Sequence, residues 1–221
     1  MSRPGSEKAK RTFLCYTILI LGLLSAGFAA HHLVQTHGHK LAERGAGKQG
    51  QTQAEISARL NWAKLIELRG LPNHYKVSDD LYRGAQPTAE GMRQLKKLGV
   101  KTIVNLRLFH SDRNKITGMG FSYQHIPVTA WHPEDEEVVR FLKIATDPNC
   151  TPVFVHCQRG AHRTGLMCAV YRIAVQGWSK SEAIDEMTNG SFNFYPGWPN
   201  LIGYINKLDI EDIKRRVGAT E

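Results

Sequence analysis

Residues 153–165 decide the fold and read VFVHCQRGAHRTG, from Val153 to Gly165. The short apolar run at residues 152–155 is typical of a strand buried in a parallel sheet. Residues 164–176 continue as a helix that Gly177 ends. A strand, a tight glycine-bearing loop and a helix N-terminus can turn backbone N–H groups toward one anion. The stretch therefore predicts a phosphate-sized anion cradle.

The rest of residues 56–221 shows the same alternation of apolar strands with amphipathic helices. Periodicity and capping residues predict helices at 56–68, 88–98, 133–145, 179–190 and 200–216. Further strands are predicted at 100–106 and 123–128. This pattern predicts an α/β fold with a central, mostly parallel sheet flanked by helices and with ligands at the carboxyl ends of its strands.

The chemistry of the cradle depends on Cys157, Arg163 and Thr164. The field of the loop favours a thiolate on Cys157, which makes that sulfur a nucleophile. The planar guanidinium of Arg163 can hold two phosphoryl oxygens, and Thr164 can donate its hydroxyl to the sulfur. The alternative is a small buried cysteine, which is how we interpret Cys150 and Cys168. The predicted substrate-binding residues are Gln158, Arg159, Gly160, Ala161, His162 and Arg163.

The segment HCQRGAHRTG at residues 156–165 resembles the signature loop of the cysteine-dependent protein tyrosine phosphatase superfamily, in its dual-specificity branch. LYRGAQP at 81–87 and VKTIVNLR at 100–107 resemble the atypical, plant-and-fungal-like members and their bacterial relatives. The resemblance implies a dual-specificity or tyrosine phosphatase-like enzyme. In such an enzyme Cys157 attacks phosphorus, Arg163 binds the phosphoryl group, and water hydrolyses the phosphocysteine. It implies no metal and no other cofactor.

The general acid is the part of this mechanism that the sequence leaves open. The resemblance places an aspartate shortly after the strand that ends at Val128, but Thr129, Ala130 and Trp131 occupy that place. Asp135 is our first candidate, followed by Glu134 and His132. A carboxylate here can equally complement a helix N-terminus. Arg83, Arg107 and Asp112 remain candidates for substrate binding, for bracing the loop, or for ordinary ion pairs.

Because no carboxylate stands at the expected place of the general acid, the sequence does not decide between several classes of substrate. Phosphoanhydrides and activated esters need less proton donation, and Arg159 and His162 add positive charge, so inositol (pyro)phosphates and phospholipid head groups compete with phosphorylated proteins. The plant-and-fungal-like relatives imply inositol pyrophosphates. The alternative function is that of a binding module, a pseudophosphatase that binds phosphate without steady turnover. The net charge of +9 comes without zinc-finger spacing or a dense basic stripe, so no nucleic-acid partner is predicted.

Residues 13–30 form an apolar run of eighteen residues without a charge, FLCYTILILGLLSAGFAA. At about 1.5 Å per residue, a helix of this length spans roughly 27 Å, close to the hydrocarbon thickness of a bilayer. Lys and Arg residues crowd the N-terminal flank, which predicts a cytoplasmic N-terminus and a catalytic domain on the periplasmic side. A cleaved signal peptide is the alternative. The predicted parts are a basic flank at 1–12, a single-pass transmembrane anchor at 13–34, a flexible linker at 35–55 and a phosphatase-like domain at 56–221.

Overall fold

The computed structural model describes Arg59 and residues 61–218. These residues belong to a compact unit, Ser57–Glu221. The predicted flank, anchor and linker at residues 1–55 lie outside the described residues. Within the described part of the chain, none of the helices combines the length and the apolar character needed to cross a membrane.

A six-stranded sheet lies at the centre of the described domain, with the strand order β1-β2-β3-β6-β4-β5. The strands are β1 (Lys64–Leu65), β2 (Tyr75–Lys76), β3 (Leu81–Gly84), β4 (Thr102–Asn105), β5 (Ser122–His125) and β6 (Val153–His156). Strands β3, β6, β4 and β5 run parallel, whereas β1 and β2 join antiparallel at one edge. The sheet is therefore mixed, and the predicted parallel arrangement holds for its larger part.

Seven helices of the described residues surround this sheet. They are α1 (Ala89–Lys97), α2 (Arg113–Ile116), α3 (Asp135–Thr146), α4 (His162–Gln176), α5 (Lys180–Asn189), α6 (Pro199–Lys207) and α7 (Ile210–Val217). Thr88 caps α1 by accepting from the Gly91 amide, and Ser179 caps α5 in a capping box with Glu182. Both caps satisfy orphan N–H groups, as the sequence predicted.

The sheet separates two apolar clusters and buries β6 completely. Val153 and Val155 pack with helices α3 and α4 on one face, whereas Phe154 packs with α1 residues on the other. Helix α4 is buried along most of its length. Because β6 is buried and most of α4 packs against the core, the loop between them rests on a rigid base.

Two predicted helices differ from the structure. In the described part of the predicted helix 56–68, residues 64–65 form strand β1, because the Ile66 amide donates to the His74 carbonyl across an antiparallel pair. The predicted helix 200–216 is two helices. Its chain becomes extended at Leu208, and Asp209 begins α7 by accepting from the Asp212 amide at 3.0 Å. A side-chain cap of this kind starts a new helix.

Candidate active site

The 157–163 loop runs from the end of β6 into the first turn of α4. Gly160 has a φ of +71°, which is strained for residues with a side chain. A Cβ at Gly160 would lie 2.5 Å from the Gly84 carbonyl carbon. Only glycine therefore lets the 157–163 loop pack this closely against the end of β3.

The backbone carbonyls of residues 157–161 each meet a donor that lies outside the curve of the loop. The pairs are Cys157 with His156 Nδ1 at 3.3 Å, Gln158 with the Gln86 amide at 3.2 Å, Arg159 with Asn73 Nδ2 at 2.9 Å, Gly160 with Arg83 Nη2 at 2.9 Å, and Ala161 with the Gly165 amide at 2.8 Å. Holding the carbonyls outward leaves the amide N–H groups to face an anion inside the loop.

Cys157 is the first residue of this loop, and its side chain is buried, with 3% exposed. Burial raises the pKa of its thiol, but hydrogen bonds from the Thr164 hydroxyl and amide, the Arg163 charge and the Gly160 amide outweigh it, so the pKa lies below 9.0. Thr164 Oγ1 is buried and has no hydrogen-bond partner among the described residues, so its hydroxyl is free to turn toward a thiolate on the nearby Cys157. The site favours a thiolate, which is the nucleophilic form of cysteine.

Above Cys157 lies an open cavity of about 300 Å³. Its lining residues are Leu108, Ala130, Trp131, Cys157, Gln158, Arg159, His162, Arg163 and Trp198. Arg163 Nη1 donates to the Leu106 carbonyl at 3.2 Å, which orients the guanidinium. The predicted nucleophile, the guanidinium and three predicted substrate-binding residues thus share one cavity, and Gly160 and Ala161 complete the loop beside them.

His162 contributes less charge than the sequence suggested. Its Nε2 accepts from the Tyr195 amide at 3.1 Å, so this nitrogen carries no proton. Burial lowers the pKa of the ring, with the charges of Arg159 and Arg163 acting in the same direction. The ring of His162 is therefore shifted toward its neutral form, and the permanent positive charges of the cavity are those of Arg159 and Arg163.

A buried aspartate–histidine pair supports the loop from the side of β4. Asp112 and His156 are fully buried, and Asp112 Oδ2 lies 2.9 Å from His156 Nε2. Asp112 Oδ1 accepts from Gln86 Nε2 at 2.5 Å, and Arg107 Nη1 donates to Gln86 Oε1 at 3.0 Å. Both nitrogens of His156 lie within hydrogen-bond distance of an oxygen, since Nδ1 is 3.3 Å from the Cys157 carbonyl and Nε2 faces Asp112. Of the roles left open for Arg107 and Asp112, bracing the loop fits the contacts.

None of the three candidate acids lines the cavity. Asp135 Oδ1 accepts from the Tyr204 hydroxyl at 2.7 Å, and its Oδ2 lies 4.0 Å from Arg216. Glu134 is the N-cap of α3 and pairs with His132 at 2.9 Å. Glu134 and Asp135 therefore lie at the N-terminus of α3, which is the alternative to catalysis that the sequence left open. Ala130 faces the cavity instead, and its carbonyl accepts from Asn200 Nδ2 at 2.7 Å.

Asn73, Gln86 and His156 also support the loop, but the sequence alone does not indicate this role. Gln86 lies within LYRGAQP, so that segment was the available signal, but Asn73 is an ordinary loop residue in the sequence. Within the described residues, no group of three or more His, Cys, Asp or Glu side chains is placed to hold a metal ion.

Comparison with known proteins agrees with this geometry. A family model described as "DSP-PTPase phosphatase fused to NAD+ Kinase" matches residues 60–195, which include the whole 157–163 loop. The dual specificity protein phosphatase TpbA of Pseudomonas aeruginosa is 34% identical over 154 residues, covering 69% of this chain and 69% of TpbA. The inositol diphosphatase DSP5 of Arabidopsis thaliana is 30% identical over 125 residues, covering 52% of this chain and 60% of DSP5.

Among solved structures, TpbA with its cysteine replaced by serine, in complex with pTyr, superposes with a TM-score of 0.65 at 30% identity. The match covers 72% of this chain and 98% of that one. The chain belongs to the family of dual-specificity-type, cysteine-dependent phosphatases. It is a phosphoric monoester hydrolase of this class.

Proposed function

We propose that Cys157 is the nucleophile and that the reaction proceeds through a phosphocysteine. The Cys157 sulfur attacks phosphorus, the S–P bond forms, and the bond from phosphorus to the leaving oxygen breaks. Arg163 and the loop amides hold the other phosphoryl oxygens as charge moves onto the leaving oxygen. Water then attacks the phosphocysteine, releasing inorganic phosphate and restoring the thiolate, which the Thr164 hydroxyl stabilises.

The preferred substrates carry leaving groups that need little protonation, such as aryl phosphates and phosphoanhydrides. The observation that supports this is the absence of any carboxylate from the residues lining the cavity, where Ala130 stands instead. Loss of a positioned acid typically costs about 10²–10⁴-fold in rate for a leaving group that must be protonated. Alkyl phosphates such as phosphoserine depend on that proton most strongly and are expected to be poor substrates.

Phosphotyrosine in proteins is the biological substrate that we infer first. The aromatic side chains of Trp131 and Trp198 line the cavity and can pack against a phenyl ring. TpbA, which is 34% identical over 154 residues, is named a dual specificity protein phosphatase, and a crystal structure of its cysteine-to-serine variant contains pTyr.

Inositol pyrophosphates are a second candidate, because the cavity carries Arg159 and Arg163 without a carboxylate to repel several phosphates. Two relatives from Arabidopsis thaliana, 30% and 31% identical, are named inositol diphosphatases. In an anhydride the leaving group is itself a phosphate, which departs without a general acid.

A substrate panel with the full chain tests these proposals. The panel compares p-nitrophenyl phosphate, a phosphotyrosine peptide, the matching phosphoserine peptide, an inositol pyrophosphate and a phosphoinositide, with Cys157→Ser as the blank. We expect turnover of aryl phosphate or anhydride to exceed that of phosphoserine at least about 100-fold. Equal turnover of phosphoserine and phosphotyrosine would contradict the leaving-group argument, and undiminished turnover by Cys157→Ser would contradict the mechanism.

Burst kinetics distinguish the enzyme from a phosphate-binding module. With p-nitrophenyl phosphate, the enzyme is expected to release nitrophenol steadily after the first turnover. One equivalent of nitrophenol followed by no further release would identify a trapped phosphocysteine and favour the binding module.

Residues 13–34 are proposed to anchor the protein in a membrane, with the catalytic domain on the periplasmic side. The uncharged run at 13–30 and the basic flank before it support this proposal. Alkaline carbonate extraction of membranes and protease accessibility in spheroplasts test it. Release of the full-length chain by carbonate would exclude the anchor, and N-terminal sequencing that begins after residue 27 would identify a cleaved signal peptide.

A further inference from the structure

Arg83 places a guanidinium directly behind the 157–163 loop. The residue lies on β3 opposite Val155 of β6 and is 1% exposed. Its Nη2 donates to the Gly160 carbonyl at 2.9 Å, and its guanidinium carbon lies 3.7 Å from the centre of the Phe192 ring. The Gly160 amide, in contrast, lies close to the Cys157 sulfur and lowers the pKa of its thiol. Arg83 and the catalytic thiol therefore contact opposite sides of the same glycine.

No carboxylate among the described residues forms a salt bridge with Arg83, and its Nε has no hydrogen-bond partner there. The charge of Arg83 acts on Tyr75 of β2 and on Cys168 of α4, and the Cys157 thiol lies close to Cys168 and to the Gly160 amide. Burial raises the pKa of Tyr75, and burial raises that of Cys168 to about 11, so both are neutral at pH 7. Cys157 is the group in this set that can be an anion at neutral pH.

Arg172 is a buried arginine of the same domain whose charge is balanced by a carboxylate. It is 2% exposed, and its guanidinium binds both carboxylate oxygens of Glu186, at 2.6 and 2.8 Å. A buried charge without such a partner is costly, because the protein interior solvates it poorly. The cost at Arg83 is offset if an anion occupies the other side of Gly160.

We propose that Arg83 is a positioning residue of the 157–163 loop whose charge is balanced by the anion inside that loop. This anion is the Cys157 thiolate in the resting protein and the phosphoryl group when substrate is bound. The guanidinium holds the Gly160 carbonyl outward, and so turns the neighbouring amides inward. The proposal rests on the proposed nucleophilic role of Cys157.

Site-resolved alkylation of the full chain tests this proposal. Iodoacetamide is applied between pH 4.5 and 9, and mass spectrometry quantifies the peptide that contains Cys157. Inorganic phosphate is titrated in as a protecting anion. In Arg83→Gln we expect the midpoint of the alkylation profile to rise by roughly one pH unit, with about tenfold slower labelling near pH 6. Protection by phosphate should weaken by a similar factor.

Two further variants separate charge from folding. Arg172→Lys, which perturbs the other buried arginine, is expected to lower Tm while leaving the Cys157 profile unchanged. Arg83→Lys keeps the charge and should label within about threefold of the wild type near pH 6. If Arg83→Gln does not fold, Arg83→Lys carries the test, and a tenfold loss in a folded lysine variant overturns the electrostatic role.

The wild-type chain distinguishes failure of this proposal from failure of the proposed function. A wild-type Cys157 that labels only above pH 8, or that phosphate does not protect, would refute the proposed nucleophile. A reactive, phosphate-protected Cys157 whose profile is the same in a folded Arg83→Gln would refute the role of Arg83 alone.

Discussion

Replacing Asp112 by Asn removes the charge from the fully buried pair that Asp112 forms with His156 at 2.9 Å. Burial by itself raises the pKa of Asp112, but the hydrogen bond and charge of His156, with Gln86 and Lys115, lower the pKa from 3.8 to about 2. The folded state therefore favours the carboxylate. This contribution to stability is complete above pH 4, the range of the unfolded pKa, and is lost as the pH falls toward 2.

The size of the effect follows from that difference in pKa. At about 1.36 kcal/mol for each unit, a pKa of about 2 in place of 3.8 corresponds to about 2 kcal/mol of stability at pH 7. The variant also leaves the buried His156 Nε2 without its carboxylate partner, and an unsatisfied buried polar group typically costs a further ~1–3 kcal/mol. For a domain of this size, we expect the Tm of Asp112→Asn to fall by roughly 5–15 °C at pH 7.

Thermal unfolding followed by circular dichroism at pH 7 and pH 3 measures this. The difference in Tm between the wild type and Asp112→Asn should shrink at pH 3, where Asp112 begins to be protonated. Asp79→Asn is the matched control, since Asp79 pairs with Lys76 at 2.6 Å but is 94% exposed, and it should leave Tm unchanged. A Tm for Asp112→Asn within 1 °C of the wild type at pH 7 would refute the reasoning.

Three further outcomes are expected. Gly160→Ala, whose Cβ would meet the Gly84 backbone at 2.5 Å, should lower kcat/KM about 100-fold, because a small misplacement of the loop is amplified in catalysis. Gly177→Ala has a similar φ of +72° but open space around its Cβ; it should cost about 1 kcal/mol and keep activity, and equal loss in both variants would exclude the close contact as the cause. Asp135→Asn should leave turnover of both phosphotyrosine and phosphoserine peptides within about threefold, because Asp135 lies outside the cavity. A selective loss of phosphoserine turnover, or loss of the alkaline limb of the pH–rate profile, would identify Asp135 as the proton donor. At pH 7.5, iodoacetamide should modify Cys157 and spare Cys168, whose pKa is about 11; equal labelling in mass spectra would show that burial does not protect Cys168.

The central part of the fold could be predicted because its signals are local. The apolar strand before Cys157, the helix that Gly177 ends and the capping box at Ser179 each need only a few neighbouring residues. Strands β1 and β2 have two residues each, too few to show an alternating pattern, and they form through pairing with each other. The break at Leu208 was missed because the apolar spacing continues through it.

The site divides in the same way. Cys157 and Arg163 could be identified because one loop carries both. The groups that shape this loop come from far along the chain, since Arg83 lies 77 residues from Gly160 and Asp112 lies 44 residues from His156. A single sequence shows that Asp112 is acidic but not that it is buried. It also shows Ala130 where an aspartate is expected, but not whether another acid reaches the cavity.

The buried pair of Arg172 and Glu186 also binds the backbone at Asn61 and Ala63. Glu186 accepts from the Ala63 amide at 2.6 Å, and Arg172 donates to the Asn61 carbonyl at 3.2 Å. Arg172 lies ten residues after His162 on α4, or about 15 Å farther along the helix axis. The described chain at Asn61 and Ala63 is therefore held at the end of α4 remote from the Cys157 cavity.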